Sequence, residues 1–117
     1  NNSGSIVNIS SIAGRHRSVV SGIHYVSSKS ALIGYTKQLS YEYAKYNIRV
    51  NVVCPSQTYT DMLRKTMNKK SILKLSKNIP LKRIAKLEEQ IGPIMFLCSD
   101  SASYITGAVL DVNGGQI

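Results

Sequence analysis

Hydrophobic residues cluster into three short β-prone segments, and longer stretches with helical spacing lie between them. The first segment, Ser5–Ser10, reads SIVNIS and surrounds one asparagine with β-branched side chains. Ile48–Cys54 is a second such run, which Pro55 closes, and Ala108–Val112 is a third. The pattern therefore predicts three short strands.

A long helix is predicted between the first two strands, over His24–Tyr46, after a loop at Arg15–Gly22. Apolar and aromatic side chains recur there at steps of three and four, which gives one apolar face: Leu32, Tyr35, Leu39, Tyr43 and Tyr46. Asn47 is a suitable end for this helix. A helix of this length between two strands requires a parallel, right-handed crossover.

Two further helices are expected after the second strand. Thr60 or Asp61 can cap a short helix that ends near Met67, and Leu87–Cys98 predicts another. Pro93 lies inside the latter, so we expect a late start or a kink there. The order of elements indicates an α/β fold with a parallel sheet. Three strands make a thin sheet, so the chain resembles part of a domain.

Composition narrows the class of protein. The chain has 117 residues and 43% hydrophobic residues, which suits one small globular domain, and neither a membrane span nor a signal peptide is expected. Cys54 and Cys98 both lie in apolar surroundings and are interpreted as buried thiols in a reducing, cytoplasmic compartment. His16 and His24 lack the spacing of metal ligands, so no metal site is expected.

The charge is concentrated in one segment. Fifteen Lys and Arg against six Asp and Glu give a net charge of +9. Between Met62 and Leu87 all charged residues are basic: Arg64, Lys65, Lys69, Lys70, Lys74, Lys77, Lys82, Arg83 and Lys86. One interpretation is a solvated helical surface, and the other is a docking surface for an anionic partner. Their mixed spacing forms no single stripe, and the absence of interleaved aromatic residues argues against single-stranded nucleic acid.

Tyr25 and Lys29 form the clearest candidate for proton chemistry. They are four residues apart near the start of the long helix, so they share one helical face. A phenol is ordinarily too weak an acid for proton transfer at neutral pH, and a nearby ammonium stabilises its phenolate. Tyr41 and Lys45 repeat the spacing at the other end of the helix.

Position favours the first pair. Ser11 follows the first strand and Pro55–Thr60 follows the second, and ligands of open α/β sheets collect beyond the carboxyl ends of strands. We expect Ser11, Tyr25, Lys29 and Pro55–Thr60 to meet at that edge. The alternative is a capping serine, a surface tyrosine–lysine pair and an ordinary turn.

Seven motifs along the chain, in order, resemble the short-chain dehydrogenase/reductase family. They are Ile6–Gly14, Tyr25–Ala31, Asn51–Pro55, Thr60–Met62, Phe96–Asp100, Tyr104–Gly107 and Asp111–Gly115. The resemblance covers essentially the whole chain, and within the family it is strongest to reductases of the 3-oxoacyl-carrier-protein type.

This resemblance implies a Rossmann-like three-layer fold and hydride transfer between NAD or NADP and a small carbonyl or alcohol substrate. Tyr25 would be the general acid/base, and Lys29 would assist it and hydrogen-bond the nicotinamide ribose. Ser11 would hold the substrate oxygen, with Ser10 as the adjacent alternative.

The resemblance also assigns the turn after the second strand to the cofactor. Pro55, Ser56, Thr58 and Thr60 would line the nicotinamide and its phosphates. Ser56 departs from the family, which usually has glycine there. Residues 56–87 would form a basic lid suited to an anionic or carrier-borne substrate. The family commonly pairs the long helix across a two-fold axis, so a homodimer or homotetramer is expected.

The glycine-rich phosphate loop of the family, and the residue that selects NAD or NADP, are not found in this sequence. We therefore expect residues 1–117 to be the C-terminal half of one such domain and not to be catalytically competent alone. No nucleic acid or membrane is expected as a partner. The alternative function is a catalytically silent binding module whose basic lid holds an acidic partner.

Overall fold

Three parallel strands form the sheet in the computed structural model, which describes residues 2–117. The strands are β1 (Gly4–Ile9), β2 (Ile48–Pro55) and β3 (Val109–Val112), in the order β1-β2-β3. Ile9 lies opposite Val53, and Val112 lies opposite Pro55, so the carboxyl ends of the strands share one edge. The predicted α/β class and the three strands are confirmed, with boundaries shifted by one residue at most.

Helices cover both faces of this sheet. They are α1 (Ile12–Arg15), α2 (Ile23–Tyr43), α3 (Asp61–Thr66), α4 (Lys69–Lys77) and α5 (Leu87–Cys98), with 3₁₀ turns at Ala44–Tyr46 and Asp100–Ala102. On one face Ile33 of α2 packs against Val52 and Cys54. On the other face Leu97 of α5 packs against Val53. The result is the three-layer, Rossmann-like arrangement that the resemblance implied.

The face of α2 that meets the sheet is not the predicted apolar face. Ile33, Thr36 and Ser40 are the buried residues of α2, whereas Tyr35 is 57% exposed. Small hydroxyl side chains let the helix lie close to the strands, and the Thr36 hydroxyl accepts a 2.9 Å hydrogen bond from Asn8 Nδ2. Tyr35 therefore faces outward. Asn47, in the left-handed conformation, ends the following turn as expected.

The structure corrects three other expectations. The loop predicted at Arg15–Gly22 begins one residue later, because Arg15 ends the one-turn helix α1, which was not predicted. Pro93 does not delay the start of α5, which begins at Leu87 and includes Pro93. Cys98 is exposed rather than buried, since it is the last residue of α5 and lies beside the core-facing Leu97.

Buried Asn51 fixes the spacing between β2 and β3. Its Nδ2 donates to the carbonyl oxygen of Ile105 at 2.9 Å, and its Oδ1 accepts from the Ala108 backbone N–H at 2.9 Å. Both amide atoms are thus satisfied inside the protein, which holds the start of β3 in register. Within residues 2–117, no helix combines the length and the apolar character that crossing a membrane requires.

Candidate active site

The three strand ends meet in a hydrogen-bonded edge. The Ser10 N–H, just past β1, donates to the Val53 carbonyl of β2 at 2.8 Å. The Ser56 N–H, just past β2, donates to the Val112 carbonyl of β3 at 3.1 Å. The ladders therefore continue one residue beyond β1 and β2, so Ser11 and the turn after Pro55 both begin at a hydrogen-bonded edge.

Ser11 begins α1 and is held by it. Its Oγ accepts a 3.1 Å hydrogen bond from the Ala13 N–H, as an N-cap does, and the residue is only 9% exposed. Because the oxygen serves as the acceptor, the hydroxyl hydrogen remains available to donate. Ser11 can therefore offer one hydrogen bond to a ligand oxygen at the sheet edge.

The Ser10 hydroxyl, unlike that of Ser11, is used as a donor within the protein. Its Oγ donates to the backbone carbonyl oxygen of Lys29 at 2.8 Å, and the residue is 3% exposed. The hydroxyl hydrogen is already used to fasten α2 to the end of β1. Of the two adjacent serines, Ser11 is the one whose donor is free.

Tyr25 and Lys29 lie in the first two turns of α2, beside this edge. Lys29 Nζ is 5.7 Å from the centroid of the Tyr25 ring and donates to the Ile9 carbonyl oxygen at 3.0 Å. Tyr25 is 37% exposed, so its phenol is accessible. The hydrogen bond to Ile9 therefore fixes the Lys29 ammonium near the Tyr25 ring, at the end of β1.

The second tyrosine–lysine pair is not arranged in this way. Tyr41 is 82% exposed on the far part of α2. Lys45 Nζ lies over the ring of Tyr46 instead, 5.0 Å from its centroid. The identical spacing in sequence therefore yields one pair at the sheet edge and one ordinary surface pair.

The segment after Pro55 leads from the edge into the basic helices. The Thr58 hydroxyl donates to the Ser56 carbonyl oxygen at 3.2 Å. Thr60 caps α3, since its Oγ1 accepts from the Leu63 N–H at 3.2 Å. The cap leaves the Thr60 hydroxyl hydrogen free, as at Ser11.

A cavity of about 120 Å³ lies behind this turn, and its lining includes Ser56, Asn113 and Gly114. Arg83 and Glu89 also line it and form a two-pronged ion pair with both N–O distances at 2.6 Å. Arg83 lowers the pKa of Glu89 from 4.5 to about 2, with a further contribution from the backbone N–H of Lys86. This pair fastens the end of the basic segment to α5.

Gly14 has a structural role that was not predicted from the sequence, where it was named only as the end of the motif Ile6–Gly14. A Cβ at this position would lie 2.7 Å from the backbone carbonyl carbon of Lys29 and 2.8 Å from Ser10 Oγ. Only glycine allows α1 to approach α2 this closely. The closeness of Ser11 to the helix that carries Tyr25 thus depends on a missing side chain.

No group of three or more His, Cys, Asp and Glu in residues 2–117 is arranged to hold a metal ion. The parallel sheet, with helices on both faces and a serine, a tyrosine and a lysine near its carboxyl edge, defines a Rossmann-like α/β protein. The sequence model of the family described as Enoyl-(Acyl carrier protein) reductase matches residues 1–116. The chain belongs to this family, within the short-chain dehydrogenases/reductases.

Curated relatives agree with this placement. The chain is 44% identical over 114 residues to protein FixR of Bradyrhizobium diazoefficiens, an alignment that covers 97% of this chain and 40% of FixR. It is also 44% identical over 113 residues to the 3-oxoacyl-[acyl-carrier-protein] reductase FabG of Aquifex aeolicus, with 97% and 45% covered. The chain thus spans less than half the length of these relatives.

Solved structures share the fold. A 3-oxoacyl-[acyl-carrier protein] reductase from Brucella melitensis matches with a TM-score of 0.93 and 35% identity, over 99% of this chain and 43% of that one. A second reductase from this organism, with bound NAD, matches with a TM-score of 0.89 and 34% identity, over 99% and 42%.

Proposed function

We propose that the protein that carries this sequence is an NAD(P)-dependent oxidoreductase that interconverts a carbonyl and an alcohol. The observation that carries this proposal is the placement of Ser11, Tyr25 and Lys29 at one sheet edge, with the lysine anchored on Ile9. Family membership supports it, as do relatives named 3-oxoacyl-[acyl-carrier-protein] reductase and acetoacetyl-CoA reductase. The similar structure with bound NAD indicates the class of cofactor.

The chain offers donors that suit the nicotinamide end of such a cofactor. Lys29 has three N–H donors, of which Ile9 takes one, and the rest can reach ribose hydroxyls. The free hydroxyl hydrogen of Thr60 suits a phosphate oxygen, while Pro55, Ser56 and Thr58 form the turn that leads to it. NAD(P)H, when bound, supplies the hydride for the carbonyl carbon.

Ser11 and Tyr25 complete the proton side of the reaction. The Ser11 hydroxyl donates a hydrogen bond to the substrate oxygen and keeps it near the phenol. In reduction Tyr25 gives its proton to that oxygen, which balances the incoming hydride and yields the alcohol. In oxidation the phenolate takes the proton back. Lys29 stabilises the phenolate in both directions.

An assay of the protein as its source makes it tests this function. Oxidation of NADH and NADPH is followed by nicotinamide absorbance with 3-oxoacyl thioesters and simple ketones, and reduction of NAD and NADP with the matching alcohols. We expect turnover with one cofactor and at least one substrate class. Absence of turnover in both directions, with a folded protein, contradicts the proposal.

We also propose that residues 56–87 form a lid that receives an anionic or carrier-borne substrate. Lys70, Lys74 and Lys77 are exposed and lie four and three residues apart on one face of α4. The basic residues of the whole segment form no single stripe, but these three do. None of the three forms an ion pair with a carboxylate of residues 2–117. Unpaired cations on one face are suited to attract a phosphate group or an acidic protein.

Helix α2 supports self-association. Tyr35 of α2 and Tyr46 of the following 3₁₀ turn are more than half exposed, and Tyr43, the last residue of α2, is 38% exposed. Exposed tyrosines are characteristic of protein interfaces, so we propose a homodimer or homotetramer built on α2. Sedimentation of the protein as its source makes it should show an even-numbered oligomer, and a monomer at micromolar concentration would contradict this. The free, buried thiol of Cys54 suits a reducing compartment such as the cytoplasm.

A further inference from the structure

Helix α1 carries Ser11 but is too short to hold its own position. It has four residues, and a single helical turn is not stable without external contacts. On one side it is tied to α2, because the Ser30 hydroxyl donates to the Gly14 carbonyl oxygen at 3.1 Å. That tie fixes the distance of α1 from the helix of Tyr25, and a second attachment would also restrain its direction.

Arg15, the last residue of α1, makes that second attachment. Its Nε donates to Asp111 Oδ1 at 3.0 Å and its Nη2 to Oδ2 at 2.9 Å, so the guanidinium and the carboxylate meet along two parallel hydrogen bonds. Asp111 lies on β3, opposite the fully buried Cys54 of β2. The pair therefore bridges from the one-turn helix to the far strand of the sheet.

The contact is well defined for a surface ion pair. The side chains of Arg15 and Asp111 are 36% and 29% exposed, which places the pair between buried and fully solvated. Hydrogen bonding to Asp111 raises the pKa of Arg15 above its ordinary value, as expected for a charge-assisted pair in direct contact. A two-pronged geometry restrains direction as well as distance.

We infer that Arg15 and Asp111 are positioning residues for the proposed reaction: together they hold α1 between α2 and β3 and thereby aim the Ser11 hydroxyl at the substrate oxygen. This inference rests on the proposed function. Without the pair, α1 keeps its contact with α2 but can tilt about it, and the loop that begins at His16 moves with it. A small displacement of Ser11 lowers the rate of the chemical step.

The test uses the protein as its source makes it, with Arg15→Gln, Asp111→Asn, the double variant and the conservative Arg15→Lys. Arg17→Gln is the matched control, because Arg17 is two residues away and makes no hydrogen bond or ion pair within residues 2–117. We expect kcat to fall about 10-fold in Arg15→Gln, with KM and the cofactor Kd within about 2-fold of the unmodified protein. The double variant should be no slower than either single variant, and Arg15→Lys should recover part of the rate.

Hydrogen exchange gives a second readout that does not depend on turnover. The Ala13 amide is bonded to Ser11 Oγ, so loosening of α1 should speed its exchange in Arg15→Gln and not in Arg17→Gln. Equal kcat in those two variants, or additive losses in the double variant, overturns the inference while the proposed function survives. If the unmodified protein turns over no substrate, the proposed function fails, and unchanged Ala13 exchange would then overturn the attachment of α1 as well.

Discussion

Lys29 Nζ on α2 donates a 3.0 Å hydrogen bond to the carbonyl oxygen of Ile9, the last residue of β1. The backbone of the same lysine accepts from Ser10 Oγ at 2.8 Å. One residue thus joins the helix that carries Tyr25 to the strand that leads into Ser11, by side chain and main chain together. The positions of all three candidate catalytic residues therefore depend on one another.

Tyr25→Phe should remove the proton donor and leave the fold intact, since the ring stays and only the hydroxyl is lost. We expect kcat to fall by about 10²- to 10⁴-fold, the usual contribution of a general acid. Tyr41→Phe is the matched control, because Tyr41 also precedes a lysine by four residues but lies exposed on the far part of α2. Steady-state rates decide the matter: a similar small effect in both variants would remove Tyr25 from the mechanism.

The two serines should separate into a chemical and a structural role. Ser11→Ala should lower kcat strongly and cost roughly 1 kcal/mol of stability through the lost N-cap. Ser10→Ala should cost a similar roughly 1 kcal/mol through the lost bond to the Lys29 carbonyl, with a much smaller change in kcat. Denaturant titration and kinetics on both variants measure this, and the reverse ranking of rates would transfer the role to Ser10.

Neutralising the stripe on α4 should weaken binding of anionic substrates. In a triple variant with Gln at Lys70, Lys74 and Lys77 we expect a KM raised about 10-fold for a phosphorylated or carrier-borne substrate, with little change in kcat. The effect should shrink as salt is added, because screening already weakens the attraction in the unmodified protein. The controls are an uncharged ketone as substrate and the single variant Lys37→Gln. An unchanged KM of the triple variant for the anionic substrate would contradict the proposal that the lid receives such substrates.

Lys82 offers a test of backbone strain. It has a φ of 59°, in the left-handed region that costs a residue with a Cβ about 1 kcal/mol. Lys82→Gly should therefore raise the stability by up to about 1 kcal/mol, less the loss of its 3.0 Å side-chain bond to the Lys77 carbonyl. Thermal unfolding measures the gain. Lys74→Gly, inside α4, is the control and should lower Tm. If Lys82→Gly lowers Tm as well, the left-handed conformation of Lys82 does not destabilise the protein.

Acid should loosen the lid through Glu89. Its pKa is about 2 in the folded protein against an ordinary 4.5, chiefly because Arg83 hydrogen-bonds the carboxylate. A lowered folded-state pKa stabilises the protein above pH 4.5, and that contribution is lost as the pH falls from 4.5 towards 2. The free energy of unfolding, measured by denaturant titration between pH 4.5 and pH 2, should depend less on pH in Glu89→Gln than in the unmodified protein. Identical pH dependence in the two proteins would show that the Arg83–Glu89 pair does not stabilise the fold.

The sequence alone determined the three strands, the parallel sheet and the helices α2, α3 and α5, whereas it did not predict α1 or α4 as separate helices. Each strand is a local β-branched run, and local spacing and capping residues mark the three predicted helices. It also determined the residues of the proposed site, because Tyr25 and Lys29 are neighbours on any helix and Ser11 must follow its strand. The cap at Thr60 and the end at Asn47 are equally local, and the structure confirms both.

Tertiary structure decided what depends on contacts between distant segments. Which face of α2 is buried followed from how closely Thr36 and Ser40 let the helix approach the sheet, and not from where its apolar residues recur. The choice between Ser10 and Ser11 follows from the Lys29 carbonyl, which takes the only hydroxyl hydrogen of Ser10. Arg15 and Asp111 are 96 residues apart and meet only because β3 lies beside β2. Local pattern specifies helices and strands, while hydrogen-bond partners and burial are set by packing between segments that the sequence does not place side by side.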